Sequence, residues 1–292
     1  MVHSVVVGID GSAQSAAAAD WAAEEAWRRG LPLRLVHVAG TEVDALDRDL
    51  GGGGATPEPL AAIRDRITAA LPGLEVSLQL LPGNPAETLA AARRTEVLVL
   101  GSRGLGGFAG LLVGSVGLRT AARAACPVVL VRAGADGRGG SPGDVVVGVE
   151  GDRPCDAVLA FAFRHAAETG AVLRAVESRT TSHGPYTTEA PVAEREIRES
   201  LAAAEQLKLR DALAHWQDKY PEVRTEAEVC PWSPARVLVE ASRSASLVVL
   251  GRRTSRHPLA GPRLGPVAVS VLRLPPSGPA GGWRPGRGRC RA

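Results

Sequence analysis

The sequence lacks the features that mark membrane, secreted and nucleic-acid-coating proteins. Its 292 residues contain no apolar run long enough to cross a bilayer. The first residues lead straight into an apolar segment, without the charged and apolar regions of a signal peptide. The formal net charge of +3 is small for this length and does not indicate a chain that coats nucleic acid. We therefore expect a cytoplasmic protein whose partners include neither a membrane nor a nucleic acid.

Several site motifs are also missing. The four cysteines are far apart and show no metal-ligand spacing, so we expect reduced thiols and no metal site. No G-x-x-x-x-G-K-[ST] segment occurs, which excludes a P-loop nucleoside triphosphatase. The first apolar segment is followed by DGSAQS instead of G-x-G-x-x-G, so the dinucleotide fingerprint is absent too.

An internal repeat is the clearest feature that is present. The segment VVVGIDG at 5–11 returns as VVVGVEG at 145–151, and WAAEEAWRRGLPLRLVHV at 21–38 returns as FAFRHAAETGAVLRAVES at 161–178. Each unit alternates short apolar runs with longer amphipathic stretches. Apolar runs without polar alternation are typical of parallel strands buried on both faces. We predict an α/β fold of two tandem doubly wound domains, each with a mostly parallel five-stranded sheet.

The repeat also predicts the domain boundaries. We place the first domain at 1–133, a linker at 134–143, the second domain at 144–273 and a disordered basic tail at 274–292. The tail is so rich in proline, glycine and arginine that the second domain is expected to lack its last strand. For the first domain, the pattern predicts strands at 4–9, 33–38, 75–81, 97–100 and 128–132, and helices at 13–29, 57–71, 85–94 and 114–124.

A glycine-rich loop predicts the ligand site. The segment GSRGLGGFAGLLVGS at 101–115 directly follows a predicted strand. In an open parallel sheet, ligands bind beyond the carboxyl ends of the strands where the strand order reverses. A helix opening at Ser115 would offer free N–H groups to a phosphate, and glycines would let the backbone approach it closely. The turn at Asp10 lies at another carboxyl end and is a second candidate.

The spacing of these glycines resembles the G-2x-G-9x-G-[ST] motif of the universal stress protein family, in its ATP-binding branch. The resemblance covers both units, up to about residue 273. It implies an ATP-binding, nucleotide-responsive stress regulator, with ATP bound alone or with Mg²⁺. It implies that Asp10 contacts ribose or nearby groups and that the backbone of Val38 meets adenine. The groups that it implies for ribose and phosphates are Gly101, Gly104, Gly114, Ser115 and the amide of Val116.

Some of these residues have a second interpretation. Asp10 or Ser12 can serve simply as the cap of a helix that begins near Ala13. Arg103, which we include among the binding residues, pairs with a phosphate in one interpretation and stays solvated in the other. His37 lies near the end of the second strand, where a single histidine is more often a packed core residue than a catalytic one.

Catalysis is poorly supported by the sequence. Phosphoryl transfer needs positioned cations and a carboxylate that holds a metal. The glycine-rich loop contains no lysine, and Asp10 is the only carboxylate in either site segment. We predict binding without efficient turnover and name no catalytic residue, which leaves weak hydrolysis open. Two alternatives remain: a protein of the same fold that acts through interactions with its loops empty, and an adenylating transferase.

The second unit departs from the motif. Glu150 replaces the aspartate, Thr254 replaces the second glycine, and Pro266 stands where serine or threonine is expected. Proline removes both a donor N–H and a hydroxyl from the start of the helix. We therefore predict a degenerate second site and about one ATP per chain.

The predicted last strand of the first unit suggests self-association. In the family that the sequence resembles, this strand is a sheet edge through which paired domains partly meet. The second unit is expected to lack its counterpart. An exposed apolar edge strand is a template for pairing with another chain. We predict a homodimer that forms through residues 128–131.

Overall fold

The computed structural model divides the chain into two compact units, which we describe one at a time. The structure describes residues 3–39, 57–102, 113–132, 143–150, 155–178, 192–252 and 264–273, with the backbone alone at 192–199. The predicted linker and the predicted tail lie outside these residues, so the domain boundaries stay a prediction.

The first unit is a doubly wound α/β domain. Its strands are β1 (Ser4–Gly8), β2 (Leu33–Ala39), β3 (Val76–Pro82), β4 (Thr95–Gly101) and β5 (Val128–Val131). Its helices are α1 (Ala13–Arg29), α2 (Glu58–Ala70), α3 (Pro85–Ala90) and α4 (Ser115–Arg123). The strand order is β3-β2-β1-β4-β5, and all four strand pairs are parallel. The predicted fold class is confirmed.

The second unit repeats this plan with a smaller sheet. Its strands are β6 (Asp144–Val149), β7 (Leu173–Ser178), β8 (Thr225–Cys230) and β9 (Ala245–Val249). Its helices are α5 (Asp156–Thr169), α6 (Val192–Lys219), α7 (Pro234–Ala241) and α8 (Pro266–Arg273). The order is β8-β7-β6-β9, again all parallel, and the described residues include no fifth strand. The expectation of a shorter second sheet is confirmed.

The core explains why the central strands carry no polar alternation. Val5, Val6 and Val7 of β1 are fully buried, so both faces of this strand are covered. On one face, Val6 belongs to a cluster of apolar side chains that includes Leu89 of α3. On the other face lies α1, whose buried residues are mostly alanines. Small side chains let the axis of α1 come close to the sheet.

Two predicted elements in the first unit differ from the observed ones by more than one residue at one end. The helix predicted at 85–94 ends at Ala90, and the strand predicted at 97–100 runs from Thr95 to Gly101. The reason is a tight reversal at Arg94, whose φ of 55° is left-handed and cannot continue a helix. The alanine-rich segment that follows Leu89 favours a helix locally. The chain nevertheless has to reverse before β4 begins at Thr95, so the helix ends early.

Arg34 ties together the amino ends of three segments in the first unit. Its Nε donates to the Ser4 hydroxyl at 2.8 Å, and its Nη2 donates to the Arg93 carbonyl at 2.7 Å. Burial lowers the pKa of Arg34, and the charge of Arg94 lowers it further. The guanidinium nevertheless stays protonated at neutral pH.

No helix in the described part of the chain is both long and apolar enough to cross a membrane.

Removal of the Arg34 guanidinium should destabilise the first unit. We expect Arg34→Met to lower its free energy of unfolding by about 1–2 kcal/mol, because a backbone carbonyl and a hydroxyl lose their donor. Arg224→Met is the matched control, since the Arg224 side chain is 76% exposed and pairs with Glu226 at the surface. This control should change the free energy by less than about 0.5 kcal/mol. Urea titration of both variants checks this, and equal losses would contradict it.

Candidate functional site

The strand order reverses between β1 and β4, and the candidate site lies at their carboxyl ends. β1 pairs with β2 on one side and with β4 on the other, where Gly8 lies opposite Leu100. The segments that follow these strands therefore start side by side at one edge of the sheet. This is the place where open α/β sheets form a ligand crevice.

Asp10 sits in a tight turn between β1 and α1. Its Oδ1 accepts hydrogen bonds from the Ser12 N–H at 3.0 Å and from the Ser12 hydroxyl at 2.6 Å. Ser12 is the N-cap of α1, because its Oγ accepts from the Ser15 N–H at 3.1 Å. Of the two residues that could cap this helix, Ser12 does so directly and Asp10 orients the cap. A structural role for Asp10 does not exclude ligand contact, since a carboxylate has further acceptor positions.

Gly101 ends β4 directly against the first turn of α1. A Cβ atom at Gly101 would lie 2.8 Å from the backbone carbonyl carbon and oxygen of Gln14 and 3.0 Å from the Ser15 nitrogen. These distances are too short for any side chain. The absence of a side chain at Gly101 is thus required by the packing of α1 on β4, in addition to any role beside a ligand.

The start of α4 lies next to Gly101. Gly114 is the N-cap of α4, and its N–H donates to the Ser102 carbonyl at 2.7 Å. Because Gly114 has no side chain, the N-cap residue itself supplies no acceptor to the N–H groups of the first turn. Ser115 is therefore the first helical residue and not the N-cap. Ser115 and Val116 are both exposed, so this helix end is open to an anion.

Val38 lies at the carboxyl end of β2 with its side chain buried. Its position is opposite Leu81 in β3, and on the β1 side the strand pairing has already ended at Gly8. The Val38 backbone therefore faces the crevice side beyond the end of β1. Next to it, the His37 Nδ1 lies 2.8 Å from the Ile9 carbonyl, so this histidine is held at the site edge.

A positively charged residue outside the glycine motif, Arg132, also lies at this edge. Arg132 follows β5 directly, and the Ser102 N–H donates to the neighbouring Val131 carbonyl at 2.8 Å. Partial burial lowers the pKa of Arg132, although an arginine keeps its charge at neutral pH. Sequence reasoning treated Arg132 only as the end of a strand. The signal available was a basic residue at the carboxyl end of a strand beside the motif.

The structure thus brings together six of the eight predicted site residues at the carboxyl edge of the first unit. They are Asp10, Val38, Gly101, Gly114, Ser115 and Val116. The other two, Arg103 and Gly104, lie outside the described residues.

The second unit differs at the equivalent edge. Helix α5 begins at Asp156, three residues later in the repeat than α1, and among the described residues the side chain of its N-cap, Cys155, makes no capping hydrogen bond. Helix α8 begins with Pro266, which has no N–H to offer. Ser178, the counterpart of Val38, donates its hydroxyl to the Trp232 carbonyl. This hydrogen bond holds the loop that contains Trp232 at the carboxyl end of β7. Val38 has no hydroxyl and cannot make this contact in the first unit.

Gly101, which ends β4, and its counterpart Gly251, two residues after β9, should respond differently to substitution. We expect Gly101→Ala to lower the free energy of unfolding of the first unit by about 1–3 kcal/mol, because the new methyl group overlaps the backbone of α1. In Gly251→Ala, the methyl group would lie 3.4 Å from Val158 Cγ2, an ordinary contact. That variant should change the free energy by less than about 0.5 kcal/mol. Urea titrations that show equal effects would refute this account of Gly101.

Comparison with known proteins identifies the family of the chain. The sequence profile of the universal stress protein family matches residues 1–132 and again 143–277. A universal stress protein of Mycobacterium tuberculosis is 33% identical over 283 residues, which cover 92% of this chain and 93% of the relative. A universal stress protein structure from Archaeoglobus fulgidus covers 92% of this chain and 94% of its own, with a TM-score of 0.61 and 17% identity. A structure of a functionally unknown protein from Pseudomonas aeruginosa covers 93% and 89%, with a TM-score of 0.58 and 18% identity. At these identities the two structures show the fold alone, whereas the profile and the mycobacterial relative show that the chain belongs to the universal stress protein family.

Proposed function

We propose that the protein is a cytoplasmic universal stress protein that binds ATP in its first unit and acts as a nucleotide-responsive regulator. The observation that carries the proposal is the exposed start of α4, with glycine as its N-cap, beside Gly101 at the reversal of strand order. A helix end with free N–H groups and a partial positive charge suits phosphates. Ser115 adds a hydroxyl, and Arg132 adds a positive charge at the same edge.

The remaining parts of a nucleotide have matching groups nearby. Asp10 offers a carboxylate to ribose hydroxyls, and the Val38 backbone faces the crevice at the end of β2. Mg²⁺ bound to the phosphates would find Asp10 as the only carboxylate in the two site segments. We therefore propose ATP, bound alone or with Mg²⁺, as the ligand.

We propose binding without efficient turnover. Phosphoryl transfer requires cations placed on the transferred group and a positioned nucleophile or base. The described part of the site supplies helix N–H groups, one arginine and one carboxylate. These groups hold a ground-state nucleotide but provide no base aimed at a phosphorus atom. A regulator that exists in nucleotide-bound and free forms needs no more.

The chain should bind about one ATP. In isothermal titration calorimetry, we expect a stoichiometry near one for the unmodified protein and no detectable binding for Gly114→Val, because a branched side chain would stand where phosphate must approach the start of α4. Gly265→Val is the matched control in the second unit, where a Cβ atom has no neighbour within 4 Å. This variant should bind as the unmodified protein does.

Two equivalent sites, or no binding at all, would refute this proposal. Absence of binding by folded, freshly purified protein would favour the alternative, a family member that acts through interactions with its loops empty. Analysis of the small molecules released on denaturation gives an independent test, since a resident adenine nucleotide should appear there.

ATP turnover should be negligible beside that of ordinary enzymes, whose median rate constant is about 10 per second. The measurement is the release of phosphate and diphosphate under steady-state conditions. Gly114→Val separates turnover at this site from a contaminating activity. A rate near that median, lost in the variant, would contradict the proposal, and the release of diphosphate would favour an adenylating transferase.

We further propose that the protein is a homodimer that forms through β5. Among the described residues β5 pairs only with β4, so its other edge offers backbone groups to a second chain. The Pro127 and Val131 carbonyls face β4, because they accept from the N–H groups of Leu98 and Ser102. In a parallel pair the direction alternates, so the N–H groups of Val128 and Leu130 point outward.

Sedimentation velocity tests the dimer. Val128→Pro removes one outward N–H at the first residue of the strand, where proline is tolerated, and should yield a monomer at micromolar concentration. Val128→Ala is the control that shortens the side chain but keeps the N–H, and it should remain dimeric. Leu130→Lys would be a poor test of the edge, because the Leu130 side chain packs against Gly117 of α4 and its loss would also disturb the packing of the unit. A monomeric unmodified protein would refute the proposal.

A further inference from the structure

The hydrogen-bond ladder between β1 and β2 stops before the last residues of β2. Pairing runs to Gly8 opposite Val36, and one more bond follows, from the Ile9 N–H to the Val36 carbonyl at 2.9 Å. In a parallel ladder, the next bond would run from the Val38 N–H to the Ile9 carbonyl. That bond is not made among the residues that the structure describes.

The His37 ring takes the acceptor instead. Its Nδ1 lies 2.8 Å from the Ile9 carbonyl oxygen. A carbonyl oxygen only accepts hydrogen bonds, so Nδ1 must carry the proton, and the neutral ring is the Nδ1–H tautomer. The Val38 N–H is thereby left at the crevice, next to the end of β1.

The second unit provides an internal comparison. There the counterpart of His37 is Glu177, whose side chain has no N–H group to donate. The ladder between β6 and β7 continues by one residue and pairs Val149 with Glu177. This pairing places the Ser178 N–H on the Val149 carbonyl. In the first unit the ladder stops and the His37 ring donates to the strand-end carbonyl. In the second unit the ladder continues and the side chain at this position, Glu177, has no N–H group.

The peptide group that joins Ile9 and Asp10 is also held at its N–H end. The Asp10 N–H donates to the Ser15 hydroxyl at 3.3 Å, and the Ser15 hydroxyl donates to the Ser12 carbonyl at 2.9 Å. The Ile9–Asp10 peptide is thus fixed by β2 through His37 and by α1 through Ser15. The direction in which the Asp10 side chain leaves the backbone depends on both contacts.

We propose that His37 is a positioning residue of the nucleotide site. By donating to Ile9, it keeps the Val38 N–H out of the strand ladder and available to a ring-nitrogen acceptor of a purine base, and it fixes the turn that carries Asp10. This inference rests on the proposed function, because it assigns a role within the same site. It differs from the interpretation of His37 as a packed core residue, which assigns the ring no influence on the ligand.

Amide hydrogen exchange in the ligand-free protein tests the ladder directly. In the unmodified protein, we expect the Val38 amide to exchange at least about tenfold faster than the Val36 amide, which is bonded within the ladder. In His37→Glu, which copies the second unit, the Val38 amide should become about as protected from exchange as the Val36 amide. A ¹⁵N spectrum of the histidine ring should show the Nδ1–H tautomer. Equal protection of Val36 and Val38 in the unmodified protein would overturn the proposal.

Nucleotide affinity tests the consequence. We expect His37→Glu and His37→Ala to weaken ATP binding by about tenfold, since each removes the donor and frees the Ile9 carbonyl for the Val38 N–H. His37→Asn should restore affinity to within about threefold, because its amide nitrogen occupies the position of Nδ1 and donates in the same direction. His215→Glu, on the exposed side of α6, is the matched surface control and should have no effect.

The outcomes separate this inference from the proposed function. Failure of the unmodified protein to bind ATP refutes the proposed function, while the exchange rates of Val38 still decide the role of His37 in the ladder. Unchanged affinity in both His37→Glu and His37→Ala overturns the positioning role. Loss of affinity in His37→Asn equal to that in His37→Ala also overturns it. If His37→Glu does not fold, His37→Ala and His37→Asn carry the comparison.

Discussion

The pairing of β1 with β4 is the contact on which the first unit's site depends. It places two carboxyl ends side by side, and the groups of the site follow these ends or lie at the adjacent ends of β2 and β5. At this edge α1 packs so closely on β4 that a Cβ atom at Gly101 would overlap the backbone of the first turn of α1. A bulkier residue at this position would push α1 away from the sheet and displace the Asp10 turn with it. The geometry of the ligand edge is thus a consequence of core packing.

The end of a strand ladder is the second determinant of this edge. A parallel ladder uses backbone groups in a fixed alternation, so any residue past the last pair has an N–H and a carbonyl that need other partners. At Ile9 the partner is a side chain from the neighbouring strand, and this choice decides what Val38 can do. Strand length at the carboxyl edge is therefore a chemical property of a site, because one more or one fewer pair changes which backbone donors a ligand meets.

Much of the fold could be predicted from the sequence, and the reasons are physical. Unbroken valine and leucine runs specify strands buried on both faces, and α1 was predicted at its observed bounds because its apolar face, its cap Ser12 and its terminal Gly30 agree. The helix predicted at 85–94 failed because local propensity favours a helix where the chain must reverse. The motif correctly marked the start of α4, since glycine spacing is a local property. The contact between His37 and Ile9 could not be predicted, because it depends on where a ladder ends.

The two units show how a fold can keep its core while its site diverges. Val145, Val146 and Val147 are as fully buried as their counterparts in β1, and each of the two central strands pairs with the neighbours that the fold requires. The differences lie at the carboxyl end of β7, at Glu177 and Ser178, and in the late start of α5. These positions lie at the edge of the sheet, and the sheet of the second unit is retained although they differ from the first unit. A tandem chain of this kind can therefore carry two edges of different chemistry on nearly the same scaffold.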